Sequence, residues 1–215
     1  MNKKEKYIPA LRFHWLTPLY DPLLKWGMRE HVFKRRLIDQ ANIRPGDRVL
    51  DLGCGTGTLT LMIQRAHPGA EIVGLDGDPQ VLAFALEKAR RVGIQITWDE
   101  GLADCLPYPA GSFDRVVSSL VIHHLAPEAK RKAMLEVLRV LRPGGTFHIL
   151  DFGKPHSLVM RMASLLVSWF EPVRENLDGK LIAILEEAGF NSVSESERFA
   201  TIIGPLSLYR AAKPG

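Results

Sequence analysis

The stretch VLDLGCGTGTLT, from Val49 to Thr60, places glycines at alternate positions, Gly53, Gly55 and Gly57, directly after an apolar run. A run that is apolar on both faces is the mark of a central parallel strand. Glycines at its end let the backbone turn sharply and let a ligand approach without meeting a Cβ. Beyond the turn a helix starts, and its free N–H groups and positive dipole end point into the crevice at the strand's carboxyl edge. This one stretch therefore commits the chain to an α/β sheet with a ligand at that edge.

The rest of the chain supports the same architecture, alternating short apolar runs with amphipathic stretches from about Arg48 onward. RVLDLG is a first strand, followed by a helix from about Gly57 to Ala66 that HPG stops. EIVGLD is a second strand ending at Asp76. Asp78 and Pro79 read as an N-cap and first-turn proline for a helix reaching about Val92, ended by Gly93. IQITW is a third strand and FDRVVSSLV a fourth. Pro127 opens a helix expected to bury Met134, Leu135, Leu138 and Leu141, before RPGG breaks it and TFHILDF forms a fifth strand. LDGKLIAILEEAGF is a further helix with Gly189 as its stop, and SVSESERF and LSLYRAAK are two closing strands. Two stretches fall outside the alternation. Residues 1–45 are expected to form an N-terminal helical segment or lid ahead of a domain spanning 46–215, and residues 155–177 a cap insertion.

The glycine spacing discriminates between ligands. A dinucleotide fingerprint reads GxGxxG and seats a pyrophosphate on the helix N-terminus. Here the third glycine comes one place earlier, and Asp51 stands two residues before the first. A carboxylate at that place repels a pyrophosphate and favours a ligand carrying an ammonium group. The combination points to S-adenosylmethionine rather than a nicotinamide dinucleotide. Asp76, ending the second strand beside Gly77, is placed to accept ribose hydroxyls. Asp78 fits helix capping better than ligand contact.

VLDLGCGTGTLT, IVGLDGDPQVL, GLADCLPYPAGSFDRVVSSLVIHHL and LRPGGTFHILDFGKP together resemble the successive motifs of class I S-adenosylmethionine-dependent methyltransferases, most closely the ubiquinone/menaquinone-biosynthesis type. The resemblance covers about Pro18 to Arg210. It implies a Rossmann-like, seven-stranded, mostly parallel sheet with an antiparallel last strand and helices on both faces. It further implies that Asp51, Gly53, Cys54, Gly55, Thr56 and Gly57 surround the methionine part, and that Asp76 holds the ribose. Leu102 and Ala103 would flank the adenine, and Ser118 or Ser119 would sit below the methionine end. One departure stands out: where the family commonly places an acid before LP, this chain has Leu102, with Asp104 two places on. Either Asp104 substitutes or the backbone alone reads the adenine.

Candidates for handling the methyl acceptor are few. His123 and His124 lie just past the fourth strand, where one of them is placed as base or substrate contact, or both simply cap the strand. Tyr20 belongs to a YD element resembling the family's lid over the cofactor. Asp151 ends the fifth strand and could serve the site, cap, or pair with a neighbouring Lys or Arg. Cys54 reads as a small filler, since methyl transfer needs no nucleophilic thiol. His14, His31, His67 and His148 show no ligand spacing, and no metal site emerges.

Composition narrows the partners. The net charge is +4, without a dense Lys/Arg block, which argues against nucleic acid. Two cysteines do not make a disulfide framework, and the absence of a signal peptide or a long apolar run points to a cytoplasmic protein. The apolar residues from Leu158 to Phe170 suit a lipophilic, quinol-like ring acceptor or peripheral membrane contact, or else packing on the sheet edge. Two other classes compete with a methyltransferase: a non-catalytic S-adenosylmethionine-binding module and a nicotinamide oxidoreductase.

Overall fold

A computed structural model describes residues 30–155, 179–201 and 204–215. Its centre is a seven-stranded sheet in the order β3-β2-β1-β4-β5-β7-β6. The strands are β1 (Arg48–Leu52), β2 (Glu71–Asp76), β3 (Thr97–Glu100), β4 (Phe113–Ser119), β5 (Leu141–Phe152), β6 (Asn191–Thr201) and β7 (Gly204–Ala212). The first five run parallel, and β7 is antiparallel to both β5 and β6. The helices are α1 (Glu30–Ala41), α2 (Thr58–Ala66), α3 (Pro79–Arg91), α4 (Pro127–Val140) and α5 (Leu181–Glu187), with a 3-10 turn at Ile122–His124.

The two faces of the sheet bury two separate cores, as strand alternation requires. Leu50, Leu52, Val116, Phe147 and Ile149 pack under α4 and α5, against Met134, Val137 and Leu185. Val49, Ile72, Val117, Leu150 and Phe152 pack on the other face, against Phe33, Leu37 and Ile38 of α1 and Leu59 and Ile63 of α2. The Phe33 and Phe199 rings, 4.8 Å apart, tie α1 to the outer strand β6. Because Asp51 shares its face with Val49, its carboxyl is delivered to the α1/α2 side.

Several local expectations shift. The third strand starts at Thr97, later than IQITW implies. In α4 the buried stripe is Lys130, Ala133, Met134, Val137 and Val140, and Leu135 is 53% exposed. The apolar stripe of a helix can be drawn through either of two adjacent rows, and packing on the sheet and α5 covers this one. RPGG does not precede β5 but forms a bulge within it, where the pairing jumps from Phe113↔Leu141 to Arg115↔Thr146. Asp78 caps α3 as expected, accepting the Gln80 amide at 2.9 Å. The proposed cap at 155–177 lies outside the described residues apart from Pro155, and of the proposed N-terminal segment only the part from Glu30 onward is described. Among the described residues, no helix is long and apolar enough to cross a membrane.

Candidate active site

Strand order reverses between β1 and β4, and an α/β sheet opens its ligand crevice beyond the carboxyl ends of such a pair. The residues there are the glycine turn after β1 and the segment Leu120–His124 after β4. The two touch: a Cβ on Gly53 would come within 2.5 Å of the Val121 side chain.

The three glycines of the turn serve different ends, although all have positive φ. Gly53 makes room for Val121. Gly57 makes room for the Trp98 ring, which a Cβ would meet at 2.6 Å, and for Ala85 of α3. At Gly55 an added Cβ would meet nothing within 4 Å among the described residues. Packing therefore accounts for the outer two, and among the described residues only the middle one has room for a ligand beside it.

The turn is held from several sides. The Gly53 and Cys54 amides both donate to the Leu75 carbonyl, at 2.8 and 2.9 Å. Asp76 accepts the Gly55 amide at 2.8 Å and the Asp78 amide at 3.0 Å, so it braces the turn as well as facing the crevice. Lys88 of α3 donates to the hydroxyls of Thr56 and Thr58, at 3.1 and 3.0 Å. The Cys54 side chain is buried beside Gly74, and burial raises its pKa well above the ordinary thiol value. Any contact Cys54 makes with a ligand is through its backbone.

Asp51 is 1% exposed and accepts a hydrogen bond from the Thr60 hydroxyl at 2.6 Å. Burial pushes its pKa up to about 6, against the opposing effects of Thr60 and of Lys34 on α1. Burial likewise raises Asp76 despite the amides of Gly55, Asp78 and Gly77. A buried carboxylate held this way gains from an arriving cation or hydroxyl donor. Neither Thr60 nor Lys88 stands out in the sequence; the one available signal is a threonine standing among the buried positions Leu59, Leu61 and Ile63 of α2.

Strand parity separates the two serines. The Ser118 hydroxyl is buried and donates to the Leu52 carbonyl at 2.9 Å. The Ser119 hydroxyl is buried without a hydrogen-bond partner among the described residues. Leu102 and Cys105 form an isolated bridge, leaving the Leu102 side chain 45% exposed beside the half-buried Ala103 and Asp104. Arg139 and Glu136 of α4 pin the next residues: Arg139 donates to the Tyr108 and Leu106 carbonyls, and Glu136 accepts the Leu106 amide at 2.8 Å.

The histidine pair is resolved in a way the spacing does not reveal. His123 is 2% exposed, and its Nδ1 lies 2.7 Å from Oδ1 of the fully buried Asp151. Asp151 also accepts the backbone amides of His123 and Phe152, at 3.2 and 2.7 Å. Burial alone would raise the Asp151 pKa, but the charge and hydrogen bond of His123 outweigh it, and the carboxyl falls below its usual range. Asp151 therefore pairs with a histidine, not with the Lys or Arg that its sequence context suggests. His124 is half-buried, with its ring 4.0 Å from that of His123. Tyr20 lies outside the described residues.

The described residues fit S-adenosylmethionine: among them there is open space at Gly55 and no partner for the Ser119 hydroxyl, and desolvation of Asp51 and Asp76 favours a cationic or hydroxyl-bearing ligand. A doubly wound sheet with this turn at its switch point defines a nucleoside-binding α/β protein. A methyltransferase-domain family model matches residues 49–145. A demethylmenaquinone methyltransferase of Thermus thermophilus is 39% identical over 146 residues, which is 66% of this chain and 65% of that enzyme, just under two thirds of its length. An uncharacterised methyltransferase of Synechocystis is 34% identical over 188 residues, 86% of each chain. The solved structure of the S-adenosylmethionine-dependent methyltransferase SibL, in its apo form, has a TM-score of 0.74 at 21% identity, over 97% of this chain and 60% of that one. The chain belongs to the S-adenosylmethionine-dependent methyltransferases.

Proposed function

We propose that the chain transfers a methyl group to a ring carbon of a quinol-like acceptor, with His123 as the general base that Asp151 orients. The observation that carries the reading is the buried His123–Asp151 pair at the same sheet edge as the glycine turn. S-adenosylmethionine supplies an electrophilic methyl on its sulfonium. The chain's own residues supply alignment and proton handling. Asp51 and the glycine turn hold the ammonium end, Asp76 the ribose, and Ser119 lies under the methionine portion, while Gly77, Leu102, Ala103 and Asp104 border the adenosine. Holding donor and acceptor in line lowers the barrier by several kcal/mol, up to roughly 7–11 in well-oriented cases.

A hydroquinone ring carbon becomes strongly nucleophilic once a ring hydroxyl loses its proton. In the tautomer with the proton on Nδ1, facing Asp151, the ring lone pair sits on Nε2, and in this reading that nitrogen takes up the hydroxyl proton. His124, half-buried beside it, is placed to contact the acceptor, and Tyr20 to close over the site. The acceptor class rests on the Thermus relative's name and its 39% identity. The test is incubation with labelled donor and a short-chain demethylnaphthoquinol. Label on a ring carbon is expected, and label on oxygen or on no quinol would overturn the acceptor assignment. Thermal stabilisation by S-adenosylhomocysteine without turnover of any acceptor would instead favour a binding module.

A further inference from the structure

The sheet face beneath α1 changes character where that helix ends. Val117, Leu150 and Leu208 are buried under α1 on three adjacent strands. Two residues further towards the amino edge, the same strands carry Arg115, His148 and Arg210, with His148 directly opposite Arg210. These residues, with Arg44, Asp114 and Arg142, line a cavity of about 590 Å³. Its size is within the range of small-ligand sites. It lies at the opposite end of β4 from Ser119, roughly 13 Å away along the strand.

The charges in this cavity do not balance. Arg142 grips both oxygens of Asp114, at 2.7 and 2.8 Å. Arg115 donates to the Ala41 carbonyl at the end of α1 and to the Asp114 carbonyl, and faces Asp47 at 3.7 Å. Asp47 is also tied to the Arg44 backbone amide at 2.9 Å. Two carboxylates thus serve two guanidinium groups. The side chains of Arg44 and the half-buried Arg210 have no hydrogen bond or ion pair among the described residues. His148 adds no charge: burial, with Arg210 and Arg115 nearby, pushes its pKa down to about 3, and its two nitrogens are engaged by Gln40 and Thr146.

We propose that this cavity is a second binding site, taking a small di- or polyanion of the phosphate class at the sheet edge opposite the methyl-transfer site. The planar fork of arginine matches phosphate oxygens two at a time, and two guanidinium groups without partners supply that geometry. The phosphate can belong to a soluble ester or to an anionic lipid headgroup, and the chemistry recognised is the same.

Titration with inorganic pyrophosphate at fixed ionic strength tests the site, followed by calorimetry and melting temperature. Wild type is expected to bind and to melt higher. In Arg210→Gln, and in the surface variant Arg44→Gln, affinity falls about tenfold or more, in line with the loss of a charged hydrogen bond. Unchanged stabilisation by S-adenosylhomocysteine in both variants shows that they are folded. Equal pyrophosphate affinity in wild type and both variants, or no effect beyond that of matched sodium chloride, overturns the proposal. Sedimentation with phosphatidylglycerol vesicles, against phosphatidylcholine controls, separates the sources. Retention that pyrophosphate competes away and Arg210→Gln abolishes assigns the lipid headgroup, and pyrophosphate binding without retention assigns a soluble ester. Retention that Arg210→Gln leaves intact overturns the lipid source.

Discussion

The two edges of the sheet hold one buried histidine each, in opposite electrostatic settings. At the carboxyl edge, His123 is paired with the buried Asp151. At the amino edge, His148 rests between neutral Gln40 and Thr146, with Arg115 and Arg210 nearby. The first setting gives the imidazole a carboxylate partner, and the second keeps it neutral. The difference shows that two equally buried histidines can meet opposite electrostatic surroundings. What differs is the charge that the neighbouring strand end presents to each.

The largest effect that would test the comparison is on turnover. Asp151→Asn and His123→Gln are each expected to lower kcat by roughly 10²- to 10⁴-fold, the typical weight of a positioned base. The affinity for S-adenosylhomocysteine should stay near wild type, as measured by calorimetry. A full-speed Asp151→Asn enzyme would remove the proposed difference between the two histidines.

Next comes Asp76→Ala, expected to weaken S-adenosylhomocysteine binding by about 100-fold, since two charged hydrogen bonds to the ribose are lost together. Unaltered affinity would confine Asp76 to bracing Gly55 and Asp78.

The glycines supply a third, smaller effect. Gly57→Ala should destabilise the fold by about 2–4 kcal/mol, because a Cβ adds left-handed backbone strain and overpacks against Trp98. Gly55→Ala should cost about 1–2 kcal/mol of stability, from the strain alone, yet impair cofactor binding more. Urea denaturation alongside calorimetry checks both, and the reverse ranking would mean that Gly55, not Gly57, is the packing glycine.

The smallest effects concern pH, and the two edges have opposite signs. Asp51 has its folded pKa raised from 3.8 to about 6, so its contribution to stability is present below 3.8 and is lost as pH rises through 6. His148 has its folded pKa lowered from 6.5 to about 3, so its contribution is present above 6.5 and is lost as pH falls towards 3. His148→Gln should therefore flatten the acid limb of stability by on the order of a few kcal/mol. Ionised Asp51 also favours an ammonium ligand, so S-adenosylhomocysteine affinity should fall as pH drops through 6, and Asp51→Asn should blunt that dependence. Fluorescence-monitored denaturation and calorimetry between about pH 4 and 8 would read both slopes, a range set by the ordinary carboxylate and imidazole values.

The features legible in the sequence are those set by neighbours along the chain. The apolar run ending at Asp51, the glycine turn, the Asp78–Pro79 cap and the Gly189 stop follow from backbone preferences that act over a few residues. Less legible were features set by packing choices between near-equal options. Leu135 and Val137 are both apolar but lie on different sides of α4, and packing on the sheet and α5 covers Val137. Ser118 and Ser119 are both small and polar in a strand buried on two faces, so their parity shows only once β1 is placed beside β4.

By itself the sequence determined the fold class and the cofactor and pointed to one strand edge for it, because a strand, a glycine turn and an acid at the next strand end are local and periodic signals. Only the tertiary structure joined His123 to Asp151, Thr60 to Asp51 and Lys88 to the turn, and gathered four arginines at the far edge. Each of these depends on residues distant in the chain meeting at a strand end or helix face, and side-chain charge acts through space without regard to order along the chain.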